Sequence, residues 1–95
     1  MARTSESYEL VCGFGLLSDA TRLGILRMLT ASPKNVTALC KGLRRKQPMV
    51  SHHLGLLRMG RLVTGARKGK SVLYVCDAAA LKALAAGIEK LTPRK

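Results

Sequence analysis

The segment between residues 41 and 70 holds the side chains of this chain that are best suited to chemistry. Its charged residues are all cationic: Lys41, Arg44, Arg45, Lys46, Arg58, Arg61, Arg67, Lys68 and Lys70. Cations gathered on one segment, in a chain whose formal net charge is +12, are typical of proteins that bind a polyanion. Because the excess is regional, we expect nucleic acid as the partner rather than a general effect on solubility.

Hydrogen-bonding groups lie in the same segment, on a predicted helix. Val50, Leu54 and Leu57 recur at the i, i+4, i+7 spacing of one apolar helix face. That spacing turns small and hydrogen-bonding residues to the opposite side: Pro48, Ser51, His52 and Gly55. Hydroxyl and imidazole groups on an exposed helix can contact phosphates or base edges. The pattern predicts a helix whose outer side contacts DNA.

The adjacent histidines are predicted to play different parts. Neighbouring helix positions differ in direction by about 100°, so His52 and His53 cannot bind one metal ion from the same face. We expect His52 to contact phosphate or a base edge, and His53 to form a hydrogen bond within the protein. Gln47, at the start of this helix, has two open roles: pairing with adenine or replacing a missing helix cap.

Several other function classes lack the residues that they need. The sequence has no Ser-His-Asp order, no paired catalytic carboxylates, no phosphate-binding glycine loop and few aromatic residues, so we predict no enzyme activity and no cofactor. It has no run of about 20 apolar residues that would span a membrane. Residues 1–6 lack the apolar stretch of a secretory signal, and the three cysteines are widely spaced. We therefore expect a cytoplasmic protein.

The helix with the histidines is predicted to lie within a single winged helix-turn-helix domain covering residues 1–95. The other predicted elements are a helix at Ser7–Leu17, a second helix capped by Ser18 with Asp19 in its first turn and ended by residues 32–33, a third capped by Asn35 or Thr37, strands at Leu62–Arg67 and Ser71–Cys76, and a last helix capped by Asp77. Gly60 ends the fourth helix. The fold class is mainly α with a small β-hairpin wing, in the order α-α-α-α-β-β-α.

Apolar stripes on the first and last helices predict a homodimer. The residues expected at its interface are Leu10, Phe14, Leu81, Leu84, Ile88 and Leu91. A domain of this size buries only about 60–65% of its unfolded surface, so a second copy would add stability. Arg22 is expected to pair with a carboxylate or a helix end inside the dimer. Two-fold symmetry would place two recognition helices about 34 Å apart along one face of DNA.

Affinity and specificity for DNA are assigned to different residues. Gln47, Met49, Ser51 and His52 are expected to face bases or nearby phosphates. The cations expected to displace counterions from phosphates are Arg44, Arg45, Lys46, Arg58, Arg67, Lys68 and Lys70. The first three precede the recognition helix, where helix-turn-helix proteins meet the DNA backbone.

Three parts of the chain resemble the arsenic-repressor, or ArsR/SmtB, family of bacterial transcriptional regulators. They are the segment Leu17–Leu26 (LSDATRLGIL), the fourth-helix residues Val50–Leu54 (VSHHL) with Leu57 and Arg58, and the wing positions Gly69, Val72 and Tyr74. The resemblance as a whole extends over roughly residues 16–76. The resemblance implies a homodimer that binds an imperfect palindrome in promoter DNA, usually as a repressor released by a metal ion, a metalloid or a thiol-modifying signal.

The sequence departs from that family at its metal sites. Metal-sensing members carry Cys-x-Cys at the third helix, where this chain has Asn35 and Thr37. Members that bind zinc or cobalt at the last helix use histidines and carboxylates, and here the helix offers Glu89. No metal site is carried over, because a divalent ion needs three or four convergent ligands. Cys12 and Cys40 are the candidates for thiol sensing that the resemblance suggests, with packing as the competing role, and the effector is unknown.

Two further functions would use the same surface. A DNA-architectural protein would bind through its charge without selecting sequences, and a winged helix that binds proteins would use its wing against an acidic partner. In competition with bulk genomic DNA, a specific regulator keeps its preferred site and an architectural protein does not. A winged helix that binds proteins would show no DNA binding even at low salt. The prediction is a sequence-specific repressor that binds a palindromic operator as a homodimer.

Overall fold

A computed structural model describes residues 2–93, with side chains from residue 7 onward. Its elements are α1 (Ala2–Leu17), α2 (Ala20–Ala31), α3 (Val36–Leu43), α4 (Gln47–Met59), β1 (Val63–Lys68), β2 (Ser71–Cys76) and α5 (Ala78–Glu89). This order confirms the predicted winged helix-turn-helix. The predicted absence of a secretory signal at residues 1–6 lies outside the described side chains.

The start of α2 is set by Asp19. Its carboxylate accepts a hydrogen bond of 2.9 Å from the backbone N–H of Arg22, which makes Asp19 the N-cap. The predicted cap at Ser18 is therefore wrong. Ser18 instead donates its hydroxyl to the carbonyl of Gly15 at 2.7 Å, where α1 ends. A single turn thus closes one helix and opens the next.

Two other predicted caps are confirmed. Asn35, one of two alternatives for α3, accepts from the backbone N–H of Ala38 at 2.8 Å. Asp77 accepts from the N–H of Ala80 at 3.1 Å and begins α5. The first helix is longer than predicted, since it begins at Ala2.

The core lies where α2, α3 and α4 meet the hairpin. Its buried side chains are Ile25, Leu26, Leu29, Leu39, Val50, Leu54, Leu57, Leu62, Val63, Tyr74 and Leu84. They include all three residues predicted on the inner face of α4, each at most 2% exposed. Burial of a large aliphatic side chain contributes about 1.5–3 kcal/mol, so this face fixes the orientation of α4 and leaves its other side outward.

The hairpin is fixed to the helices through Tyr74. Its backbone N–H donates to the carbonyl of Lys34 at 2.8 Å, and the Lys34 N–H donates back at 3.2 Å. Lys34 lies in the link between α2 and α3, so these two bonds join the wing to the helix-turn-helix unit. β1 pairs antiparallel with β2, and it lies one residue later than predicted. Gly69 turns the chain with a φ of 61°, in the left-handed region that glycine adopts freely.

Two glycines let α1 and α5 pack closely. Gly13 faces the side chain of Leu84, and Gly87 faces that of Leu10, so a β-carbon at either position would require that leucine to shift. The residues predicted at the dimer interface divide accordingly: Leu84 is buried within this chain, Leu10, Phe14 and Leu81 are half-buried, and Ile88 and Leu91 are exposed. The exposed apolar side chains among these residues therefore lie at and just beyond the end of α5.

Candidate nucleic-acid interface

The outer side of α4 is open to solvent over its first two turns. Gln47, Met49, Ser51 and His52 are all exposed, as the spacing of the buried residues requires. They present an amide, a thioether, a hydroxyl and an imidazole. Amides, hydroxyls and imidazoles can hydrogen-bond to base edges or phosphates, and a thioether can contact a thymine methyl group.

Three consecutive cations form the turn into α4. Arg44 is exposed, and its backbone is in the left-handed region with a φ of 55°. The backbone N–H of Arg45 donates to the carbonyl of Cys40 at 3.1 Å. Lys46 is the N-cap residue, and the described structure gives it no side-chain cap bond. The first N–H groups of α4 therefore keep their positive potential beside three cationic side chains, an arrangement that suits a phosphate.

A groove separates α4 from β1. Its volume is about 820 Å³, and its lining residues are Ser51, His52, Gly55, Leu56, Arg58, Met59, Val63, Thr64 and Gly65. The guanidinium carbon of Arg58 lies 6.0 Å from the centre of the Tyr74 ring, at the outer limit of a cation–π contact. Arg58 thus stands between the outer side of α4 and the base of the wing.

The residues that β1 contributes to this groove were not among the sequence candidates. Thr64 and Gly65 follow the buried Val63 directly, and Met59 is 82% exposed at the end of α4. The alternation of the strand could have indicated that Thr64 lies on the side opposite Val63. It could not have shown that this part of β1 lies beside α4, because that depends on how the hairpin docks.

The cations of the wing tip form a separate group. Arg67, Lys68 and Lys70 are exposed around the turn at Gly69. Lys68 stands about 17 Å along β1 from Val63, because a strand advances about 3.3 Å per residue. The tip can therefore reach DNA backbone beyond the stretch that α4 covers.

His53 joins α4 to the junction of α1 and α2. Its Nδ1 atom lies 3.1 Å from Nη1 of Arg22, and its side chain is only 16% exposed. Because arginine has donors only, Nδ1 is the acceptor and neutral His53 carries its proton on Nε2. The same Arg22 donates through Nε to the carbonyl of Leu16 at 2.7 Å and through Nη2 to that of Gly15 at 3.3 Å. These contacts confirm an internal hydrogen bond for His53 and a helix-end contact for Arg22.

The carboxylate of Asp19 completes this cluster. The pKa of Asp19 lies below its ordinary value, chiefly because the Arg22 backbone N–H donates to the carboxylate. Desolvation opposes that shift, and the charges of His53 and Arg22 add to it. Nδ1 of His53 lies 3.7 Å from Oδ2 of Asp19, an ion pair when the imidazole is protonated.

Replacing Asp19 with Asn should reduce the loss of stability in acid. Asparagine keeps a cap acceptor but carries no charge. Because folding lowers the pKa of Asp19, its charge stabilises the protein above the ordinary pKa, and that contribution is lost as the pH falls through the folded value. Urea unfolding at about pH 5 and about pH 2 should show the larger loss for the wild type. Equal losses in the two proteins would contradict this role.

The described thiols differ in access. Cys12 is exposed, whereas Cys40 is half-buried against the core. A hydrogen bond with Cys12 raises the pKa of the Tyr8 hydroxyl. Burial raises the pKa of the Cys76 thiol, which lies 3.6 Å from the carbonyl oxygen of Leu26. Among the side chains described, those of residues 7–93, no three histidine, cysteine or acidic groups converge as metal ligands would. No helix within residues 2–93 has the length and apolarity needed to cross a membrane.

Comparison with known proteins gives a family match over the helix-turn-helix unit. The model of the family described as "bacterial regulatory protein, arsR family" matches residues 19–64, from the cap of α2 into β1. The chain is 42% identical over 62 residues to the arsenical resistance operon repressor of Escherichia coli strain K12, covering 64% of this chain and 53% of that protein. It spans about half the length of this and other curated relatives that it matches.

Two further similarities extend over most of the chain. The HTH-type transcriptional regulator Rv2034 of Mycobacterium tuberculosis is 33% identical over 78 residues, covering 82% of this chain and 73% of that protein. The structure of an ArsR-like transcriptional regulator from Rhodococcus sp. RHA1 has a TM-score of 0.82 at 28% identity, covering 90% of this chain and 80% of that one. Fold, family model and relatives agree, and the chain belongs to the arsR family of bacterial regulatory proteins.

Proposed function

We propose that this protein is a DNA-binding transcriptional repressor that acts in the cytoplasm as a homodimer on a palindromic operator. The observation that carries the proposal is the exposed side of α4, bordered by the cations of the preceding turn and by Arg58, in a segment free of acidic residues. This surface combines groups that hydrogen-bond to bases with groups that neutralise phosphates. The relatives named as transcriptional regulators and repressors support the same function.

The proposed dimer would form through α1 and α5. Ile88 is 53% exposed near the end of α5, Leu91 is 78% exposed just after that helix, and Val11 is 69% exposed on α1. Large apolar side chains gathered on terminal helices are typical of a self-association surface. A two-fold axis there would set the spacing of the two α4 helices and so select an inverted repeat.

Selection of bound fragments from the host genome is the direct test of this function. A specific repressor should enrich a few fragments that share an inverted repeat with half-sites about one helical turn apart. Its preference for them over bulk DNA should be about 10³ or more. Binding without preference would favour an architectural protein, and absence of binding at low salt would favour a protein-binding winged helix. Sedimentation of the free protein should show a dimer, and a monomer at all concentrations would contradict the proposed assembly.

Replacing Lys46 with alanine should lower the salt dependence of DNA binding. One phosphate contact contributes about 0.9 to the slope of log K against log salt in each subunit. The variant should therefore lose about one unit of slope per subunit without a change in sequence preference. Filter binding over a series of salt concentrations measures this slope. Lys82→Ala, which removes an exposed lysine of α5, is the matched control and should leave the slope unchanged; an unchanged slope in Lys46→Ala would exclude Lys46 from the interface.

A further inference from the structure

Gly55 is a helix glycine that packing does not explain. At four other helix glycines, Gly13, Gly24, Gly42 and Gly87, a β-carbon would require a neighbouring side chain to shift, whereas Gly15 of α1, like Gly55, meets no neighbouring atom within 4 Å. At Gly55 the described structure has no such atom within 4 Å of the point where a β-carbon would lie. Gly55 also lies in the interior of α4, where alanine favours the helix more strongly. The fold alone would therefore be more stable with a side chain at this position.

The surroundings of Gly55 indicate what occupies the space above it. Gly55 lines the groove between α4 and β1, one turn after Ser51, and Arg58 lines the same groove. Ser51 and Arg58, which carry a hydroxyl and a guanidinium, therefore lie on either side of Gly55, where the helix surface has no side chain. On the opposite side of the groove, the glycine at position 65 is explained by packing, because a β-carbon there would lie 2.8 Å from Cε1 of the Tyr74 ring.

We propose that one phosphodiester strand of the bound duplex lies in this groove, in direct contact with the Cα atom of Gly55. The inference rests on the proposed DNA-binding function and adds a specific contact to it. The Ser51 hydroxyl and the Arg58 guanidinium are the groups that hold the phosphate oxygens on either side of Gly55. A β-carbon would move the strand away from α4 and lengthen both contacts beyond hydrogen-bonding distance. Gly55 thus determines how closely the DNA backbone approaches the helix.

The variant Gly55→Ala tests this proposal, because it should change stability and affinity in opposite directions. The melting temperature should rise by about 3–6 °C, as for a helix-interior glycine replaced without a clash. Affinity for a mixed-sequence duplex of about 30 base pairs at low salt should fall about tenfold. The matched control is Gly15→Ala in α1, where a β-carbon also meets no described atom within 4 Å. It should raise the melting temperature and leave DNA affinity unchanged.

Each other outcome overturns the proposal. Affinity unchanged in Gly55→Ala would show that nothing lies against the Cα atom. A fall in melting temperature would show that Gly55 is required for packing. A loss confined to fragments selected from the genome, with the mixed-sequence duplex unaffected, would place a base edge there instead of the backbone. Absence of wild-type binding to any duplex would refute the proposed function itself, and the wild-type measurement alone identifies that case.

Discussion

Reversing the charges of Arg44 and Arg45 together, by Arg44→Glu and Arg45→Glu, should lower affinity for duplex DNA by at least about 100-fold near physiological salt. Both side chains are exposed in the turn before α4, and the N-terminus of α4 adds its own positive potential. Each reversal removes one attraction to phosphate and adds one repulsion, and the proposed dimer would carry both changes twice. Fluorescence anisotropy with a labelled duplex would measure the loss.

The control for this double variant has the same net charge but leaves the turn intact. Arg27→Glu and Lys82→Glu reverse two exposed cations on α2 and α5. If affinity arises from local phosphate contacts, the affinity of this control for DNA should fall only a few-fold, because salt screens charges that lie more than about 8–10 Å from the phosphates. An equal loss of affinity in the two double variants would show that binding depends on total charge and not on contacts made by the turn before α4. Circular dichroism of each variant would establish that it is folded.

The helix-turn-helix unit could be predicted from the sequence because its signals are local. The inward spacing of Val50, Leu54 and Leu57 set the face of α4, and the packing of the core depends on the same residues. The cap of α2 was placed one residue too early, because Ser18 and Asp19 are both good capping residues and the chain has them in sequence. The longer α1 was missed because its start lacks a cap signal.

The arrangement of the candidate site depended on contacts that no local pattern contains. Arg22 and His53 are 31 residues apart, and their hydrogen bond exists only because α2 packs against α4. The groove that Thr64 and Gly65 help to line likewise requires the hairpin to dock beside α4. The sequence predicted residue types and exposure at the interface, whereas the tertiary fold determined which of them face one another.

Local rules of stability are broken repeatedly around α4. Arg44 adopts a left-handed conformation that glycine would adopt more easily, Lys46 leaves α4 without a side-chain cap, and Gly55 weakens the helix interior. Each departure lowers stability by about 0.5–1 kcal/mol relative to a better local choice. Two of these residues are cations, and the third leaves an open surface. Their location is explained if contact with DNA outweighs local stability on this side of the molecule.

Replacing Arg22 with alanine should lower the free energy of unfolding by about 2–3 kcal/mol, because one guanidinium bonds to three groups. The carbonyls of Gly15 and Leu16 at the end of α1, and Nδ1 of His53 on α4, would all lose a donor. A domain of this size should then melt about 10 °C or more below the wild type. Urea unfolding at neutral pH measures the change.

The variant Arg22→Lys separates charge from geometry in this cluster. Lysine keeps the positive charge near Asp19, but its single ammonium group cannot reproduce the planar fork that spans two carbonyls and an imidazole. It should therefore recover less than half of the stability lost in Arg22→Ala. Full recovery by lysine would show that the charge alone holds the cluster together. His53 is the direct neighbour of the exposed His52 on α4, so both variants should also weaken DNA binding. If stability falls but DNA affinity is unchanged, the bound duplex holds α4 in place without Arg22.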